Sequence, residues 1–220
     1  MPAKADFAGP SKGFKCIFPL VECDTMRPEE IAEKLTRVQT YALLLAHAGG
    51  GGPIRGRLWL QKEMFLLSRA IPELESELSY EASLKGPMSE TLEWDVDQLV
   101  SVDLLHHEGS SYVLTKSGDV CAKVASREME PVALKAVDDV KQLLNDLSKD
   151  ELLAFVYFLY PDMISESEEL QDLLPKREAL AVRLFEKGKV GLEKGAKVAG
   201  VDVPKFASIL GKRGIARYVD

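Results

Sequence analysis

A mainly α fold is predicted by three observations on this 220-residue chain. Apolar residues recur at spacings of three and four over most of its length, the period of an amphipathic helix. Two short β-prone runs, Leu104 to His107 and Tyr112 to Thr115, flank Glu108-Gly109-Ser110-Ser111 and read as one hairpin. Near the C-terminus, EKGKVGLEKGAKVAGVDVPKFASILGKRGI, from Glu186 to Ile215, breaks into short helical stretches punctuated by glycine.

Residues 1–27 hold Gly9, Pro10, Gly13 and Pro19 without a sustained period, and read as a flexible N-terminal arm. A helix is expected from Pro28, with Glu29 and Glu30 where the helix dipole favours negative charge. Ile31, Leu35, Val38, Ala42 and Leu45 give it one stripe, ended by GGGGP at Gly49 to Pro53. The next helix, Arg57 to Ala70, carries Leu58, Leu60, Met64, Phe65 and Leu67, and Pro72 closes it. Gly86 and Pro87 make a turn, and Ser89 caps a helix whose buried face is Leu92, Val96, Leu99 and Val100. The hairpin follows, and LTKSG leads back into a helix. Helices, a small hairpin and a returning helix are the layout of a winged helix-turn-helix domain, here 28–128.

A helical connector, 129–174, comes next. Val132, Ala136, Val137, Val140 and Leu144 form one stripe, and Ser148 with Glu151 forms a capping box. The helix it opens, ELLAFVYFLYP, is apolar nearly all round and is expected to be buried, with Phe155, Tyr157, Phe158 and Tyr160 in the core. Residues 162–172, rich in Ser and Glu, read as a solvated connector or a short helix.

The last stretch, 175–220, has the requirements of a trihelical helix-turn-helix domain. Lys176 to Lys187 is its first helix, with Leu180, Leu184 and Phe185 inward and Gly188 as the stop. Two closely crossing helices need a small residue at the contact and a glycine in the turn, which Ala196 and Gly200 supply. Ala199, Val201, Phe206 and Ile209 are the apolar positions, Asp202 is the N-cap and Pro204 lies in the first turn. The scaffold residues are thus Ala196, Gly200, Val201, Phe206 and Ile209.

The formal net charge is −7, but it divides into +6 from Lys176 onward and −13 before it. Basic charge at a helix-turn-helix is the electrostatic footprint of DNA binding. Lys189, Lys194, Lys205, Lys212 and Arg213 are the candidate phosphate contacts, and Ser208 shares the outward face of the second helix. That face holds Asp202, Val203, Lys205, Ser208 and Lys212, with no Arg, Asn or Gln before Arg213, so specific base readers are scarce.

RLWLQKEMFLL, KGPMS and YVLTKSG resemble a prokaryotic group of winged-helix proteins related in pattern to the Panacea antitoxin domain, over about Tyr41 to Val124. The turn around Gly86 departs from that pattern in lacking tyrosines and acids. REALAVRLFEKGKVGLEKGAKVAGVDVPKFASILGKRGI is similar to the small prokaryotic helix-turn-helix antitoxin family encoded beside PIN-domain ribonuclease toxins, over about Pro175 to Arg217. Gly195 beside Ala196 is a departure expected to weaken the helix while leaving the crossing intact. This second resemblance implies a DNA-binding regulator or a toxin neutraliser.

Other function classes find little support. No apolar run approaches the roughly 18 residues that cross a bilayer. Lys4, Lys12 and Lys15 precede only Ile17 to Val21, too short for a signal peptide and interrupted by Pro19. Cys16, Cys23 and Cys121 show neither a C-x-x-C pattern nor a histidine cluster, as expected of reduced thiols without a metal. GGGGP lacks the Gly-Lys-Ser/Thr of a phosphate loop, no serine sits in a nucleophile elbow, Cys121 has no placed base, and Asp138-Asp139 reads as a solvated face. His106 and His107 are expected to be exposed hairpin residues; Arg55, Arg57 and Lys62 are read as either DNA contacts or partners of acidic groups. The expectation is a cytoplasmic, non-enzymatic protein without cofactors, a DNA-binding transcriptional regulator or antitoxin-like protein acting on double-stranded DNA. The alternative is a protein-interaction module, a toxin neutraliser or scaffold whose helix-turn-helix is structural. A toxin or other protein partner and homodimerisation are consistent with both, and no membrane partner is expected.

Overall fold

The computed structural model describes residues 27–165 and 167–215. The expected N-terminal arm, except Arg27, lies outside the described residues. The described residues are mainly helical, with one two-stranded antiparallel sheet among them. None of the described helices is long and apolar enough to cross a membrane.

The single helix expected from Pro28 is two, α1 (Pro28–Ala32) and α2 (Arg37–Gly51). Thr36 accepts a hydrogen bond from the Gln39 backbone N–H at 3.0 Å, and the Gln39 side chain accepts from the Thr36 N–H at 3.1 Å. This reciprocal cap starts a new helix and overrides the continuous apolar stripe. Regular helix ends near His47: Ala48 is extended, and Gly49 and Gly50 turn the chain at φ 63° and 84°.

Helices α3 (Arg57–Ala70) and α4 (Pro72–Leu78) follow. Pro72 both closes α3 and opens α4, a short helix absent from the sequence expectation that buries Leu74 and Leu78. Helix α5 (Glu90–Ser101) begins at Ser89, whose hydroxyl accepts from the Leu92 N–H at 3.2 Å. Strands β1 (Leu105–Glu108) and β2 (Ser111–Leu114) form the expected hairpin, and Ile54 adds an antiparallel bridge to Tyr112.

Thr115 caps α6 (Lys116–Glu128) by accepting from the Gly118 N–H at 2.9 Å. A Cβ at Gly118 would lie 1.9 Å from the Leu104 carbonyl oxygen. Backbone cannot yield as a side-chain tip can, so Gly118→Ala is expected to cost about 3 kcal/mol. A lower urea midpoint at unchanged m value would show it; a neutral result would mean that α6 and the hairpin do not approach this closely.

The remaining helices are α7 (Pro131–Leu144), α8 (Lys149–Leu159), α9 (Leu170–Leu173), α10 (Arg177–Glu186), α11 (Leu192–Ala199) and α12 (Val203–Lys212). The Ser148–Glu151 capping box opens α8, which is buried along nearly its whole length as its all-round apolar sequence requires. Helix α7 packs on α2 and α3, and α8 packs on α10 and α11. One buried apolar cluster runs from Ile31 to Leu210.

Candidate nucleic-acid interface

Helices α10, α11 and α12 close around two phenylalanines. Leu180, Leu184 and Phe185 of α10 are buried as expected, and the Phe206 ring of α12 meets Phe185 edge-on at 5.9 Å between centroids. Phe206 lies so close to α11 that a Cβ at Gly195 would sit 2.4 Å from its ring. The glycine read as a helix-weakening departure is therefore the position that admits Phe206. Ala196 is buried beside it, Val201 and Ile209 are half-buried against the core, and Gly200 turns the chain at φ 73°. Asp202 caps α12, its carboxylate accepting from the Lys205 N–H at 2.8 Å.

Arg177 is a fastener that the sequence did not reveal. Its guanidinium donates to the carbonyls of Val198 at 2.5 Å and Lys197 at 2.8 Å, and lies 4.1 Å from the Phe158 ring centroid. A cation at the C-terminal end of α11 satisfies carbonyls that the helix leaves free and opposes its dipole. The same packing presses Arg177 against Gly200, where any side chain would collide with it.

Much of the basic charge counted from Lys176 onward is engaged by the acidic residues before it. Lys176 pairs with Asp150 at 2.9 Å, Lys187 with Glu151 at 2.7 Å and Lys189 with Asp146 at 2.7 Å. Lys197 donates to the Leu159 carbonyl, and Arg213 reaches Glu178 at 3.3 Å. Burial pushes the Glu151 carboxyl up, but Lys187 and Ser148 outweigh it and hold it below the usual range. The hydrogen bond from Lys189 holds Asp146 down in the same way.

Of the six residues proposed from sequence as DNA contacts, Lys189 is 14% exposed in its side chain and committed to Asp146 and the Gln142 carbonyl. Arg213 is exposed but paired. Lys194, Lys205, Ser208 and Lys212 are exposed, and among the described residues the three lysines form no ion pair. Lys205, Ser208 and Lys212 are spaced three and four apart and share one face of α12.

Arg55, Arg57 and Lys62 are each engaged within the protein. Arg55 donates to the Asn145 and Leu147 carbonyls and lies over Trp59; Arg57 pairs with Glu93 at 2.9 Å; Lys62 is buried and donates to the Pro87 carbonyl at 2.8 Å. His106 and His107 are both exposed, His107 lying 4.7 Å from Tyr112 between ring centroids. The outward side of α5 shows Glu90, Trp94 and Asp97.

The fold and this surface define a mainly helical protein with a compact three-helix unit, α10 to α12, and a lysine-bearing outer helix. The model of an uncharacterised protein family, UPF0175, matches residues 157–220, which includes all three of these helices. No curated protein and no solved structure matches the chain.

Proposed function

We propose that this is a cytoplasmic, non-enzymatic DNA-binding regulator of the antitoxin-like kind, with α11 and α12 as its helix-turn-helix. The observation that carries the reading is the set of lysines without an ion pair among the described residues, Lys205 and Lys212 on one face of α12 and Lys194 on α11, on a scaffold whose turn and cap are built for two crossing helices. In the same reading, α3 to α5 with the β1–β2 hairpin and α6 form a winged helix-turn-helix. Phosphate contacts dominate, because α12 presents few side chains able to read base edges.

Fluorescence anisotropy with a random duplex and with the protein's own promoter fragment tests it. Three engaged lysines would give a slope of log K against log salt of about −3. Lys205→Ala with Lys212→Ala is expected to flatten that slope by roughly 2 and to weaken binding to both duplexes alike. An unchanged slope would remove α12 as the contact.

A second reading, a protein-interaction module that neutralises a toxin or scaffolds a complex, is favoured by α5. In a winged helix-turn-helix the helix before the hairpin would face DNA, yet Glu90 and Asp97 repel phosphate there. Exposed Trp94 between acids suits a basic protein surface instead. Both activities are compatible in one chain, α12 serving DNA and α5 a partner. Trp94→Ala that releases a co-purified basic protein while leaving the salt slope intact would assign them so.

A further inference from the structure

Where α3 meets the turn of residues 83–88 and the start of α5, a cavity of about 130 Å³ is lined by Arg57, Gln61, Lys62, Lys85, Pro87 and Glu93 among others. At the roughly 30 Å³ that a water occupies in the liquid, this is room for about four waters or one small oxyanion. Its wall carries three cations against one carboxylate. Glu93 is already committed to Arg57 at 2.9 Å, with the Gln61 side-chain amide 3.4 Å away. Gln61 is itself locked by two 3.0 Å hydrogen bonds with the Ser89 backbone.

Lys62 is the unusual member. It is 1% exposed, and its amine makes one hydrogen bond, to the Pro87 carbonyl. An ammonium has three N–H groups, and Lys62 forms no ion pair with a described carboxylate. A buried cation with neither counter-charge nor full hydrogen bonding is strongly disfavoured, so the site either sheds its proton or gains an anion. Lys85, exposed on the turn, forms no ion pair among the described residues either.

We propose that this cavity binds a small oxyanion, a carboxylate or a tetrahedral phosphate-type group, held by Lys62 on the inside with Lys85 and Arg57 at the rim. Binding is coupled to protonation of Lys62. Burial pushes the empty-site amine down to about 7, and the charged groups around it are Arg57 on its own helix, Lys85 on the turn and Glu93 on α5. An anion reverses that balance, so affinity falls as pH rises through neutrality.

Sulfate and acetate are suitable probes, since neither titrates between pH 6 and 8, with chloride at matched ionic strength as the blank. In ¹H–¹⁵N spectra of the full chain, saturable shifts are expected for amides of residues 83–86, of Met88 and of α3 near Lys62. The affinity should be about tenfold weaker at pH 8 than at pH 6, following the protonated fraction of an amine titrating near 7. Tighter sulfate supports a phosphate-type ligand, tighter acetate a carboxylate. Arg57→Gln with Lys85→Ala, both exposed, should weaken binding at least tenfold without altering the fold. Lys62→Met should abolish the pH dependence; if it does not fold, the rim variant decides. Shifts that match chloride, do not saturate or survive the rim variant would overturn the proposal.

Discussion

Lys141→Met is expected to destabilise the protein more at pH 8 than at pH 5, by roughly 1.4 kcal/mol, because it leaves the Glu63 carboxylate buried without its partner and forces it to take up a proton. Lys141 on α7 and Glu63 on α3 are 2% and 1% exposed, with nitrogen and oxygen 3.6 Å apart. Neither the Lys141 amine nor the second Glu63 oxygen has a hydrogen-bond partner among the described residues. Burial pushes the Glu63 carboxyl up to about 7, against the pull of Lys141 and Arg55. With the folded value above the unfolded one, the native state holds a proton that the unfolded chain releases between about 4.5 and 7. Stability contributed by that proton is present below this window and is lost as pH rises through it. The Lys141→Met penalty should therefore be greater at pH 8 than at pH 5, where Glu63 is neutral, by about the 1.4 kcal/mol that one pH unit above its titration represents. Urea titrations at the two values check this, and an equal penalty at both would mean that Glu63 carries no charge in the native state. The double change Glu63→Leu with Lys141→Met should come within about 1 kcal/mol of the parent, since an apolar pair avoids the desolvation altogether.

Phe206→Ala is the second large effect expected, about 3–5 kcal/mol. The ring is fully buried, meets Phe185 edge-on and fills the space that Gly195 leaves open. Its removal opens a cavity between α10, α11 and α12, so the loss should appear as trypsin cleavage at Lys194, Lys197 and Lys205. Gly195→Ala sets two effects against each other. Alanine favours helix by about 1 kcal/mol, while overlap with a ring that has no room to retreat costs about 1–3 kcal/mol. A modest net loss is expected, relieved when Phe206→Leu is added. A more stable Gly195→Ala protein would show that the two helices cross less closely than described.

The parts of the fold that were legible from sequence depend on residues three or four apart. Ser89, Ser148 with Glu151, and Asp202 cap the helices they were expected to cap. Gly200 turns the chain where a turn was expected, and α8 is buried as its composition requires. The Thr36-to-Gln39 cap was equally local and could have been found. It was hidden by a stripe from Ile31 to Leu45 that continued across the break. Helix α4 was hidden by Pro72, which stops one helix and starts another.

The candidate site divides along the same line. That the C-terminal unit carries excess basic charge and two helices joined at Gly200 followed from sequence alone, because charge counts and caps are local quantities. Which cations remain available did not. Lys187 and Glu151 are 36 residues apart, and Arg177 finds its carbonyls 20 and 21 residues away. Only the packing of α10 against α8 and α11 brings these groups together. Chain order determined the helices, their ends and the sign of the charge. Tertiary contact decided that Lys189 is spent on Asp146, that Lys205 and Lys212 find no ion-pair partner among the described residues and that Gly195 makes room for Phe206, because desolvation and pairing depend on what lies across space.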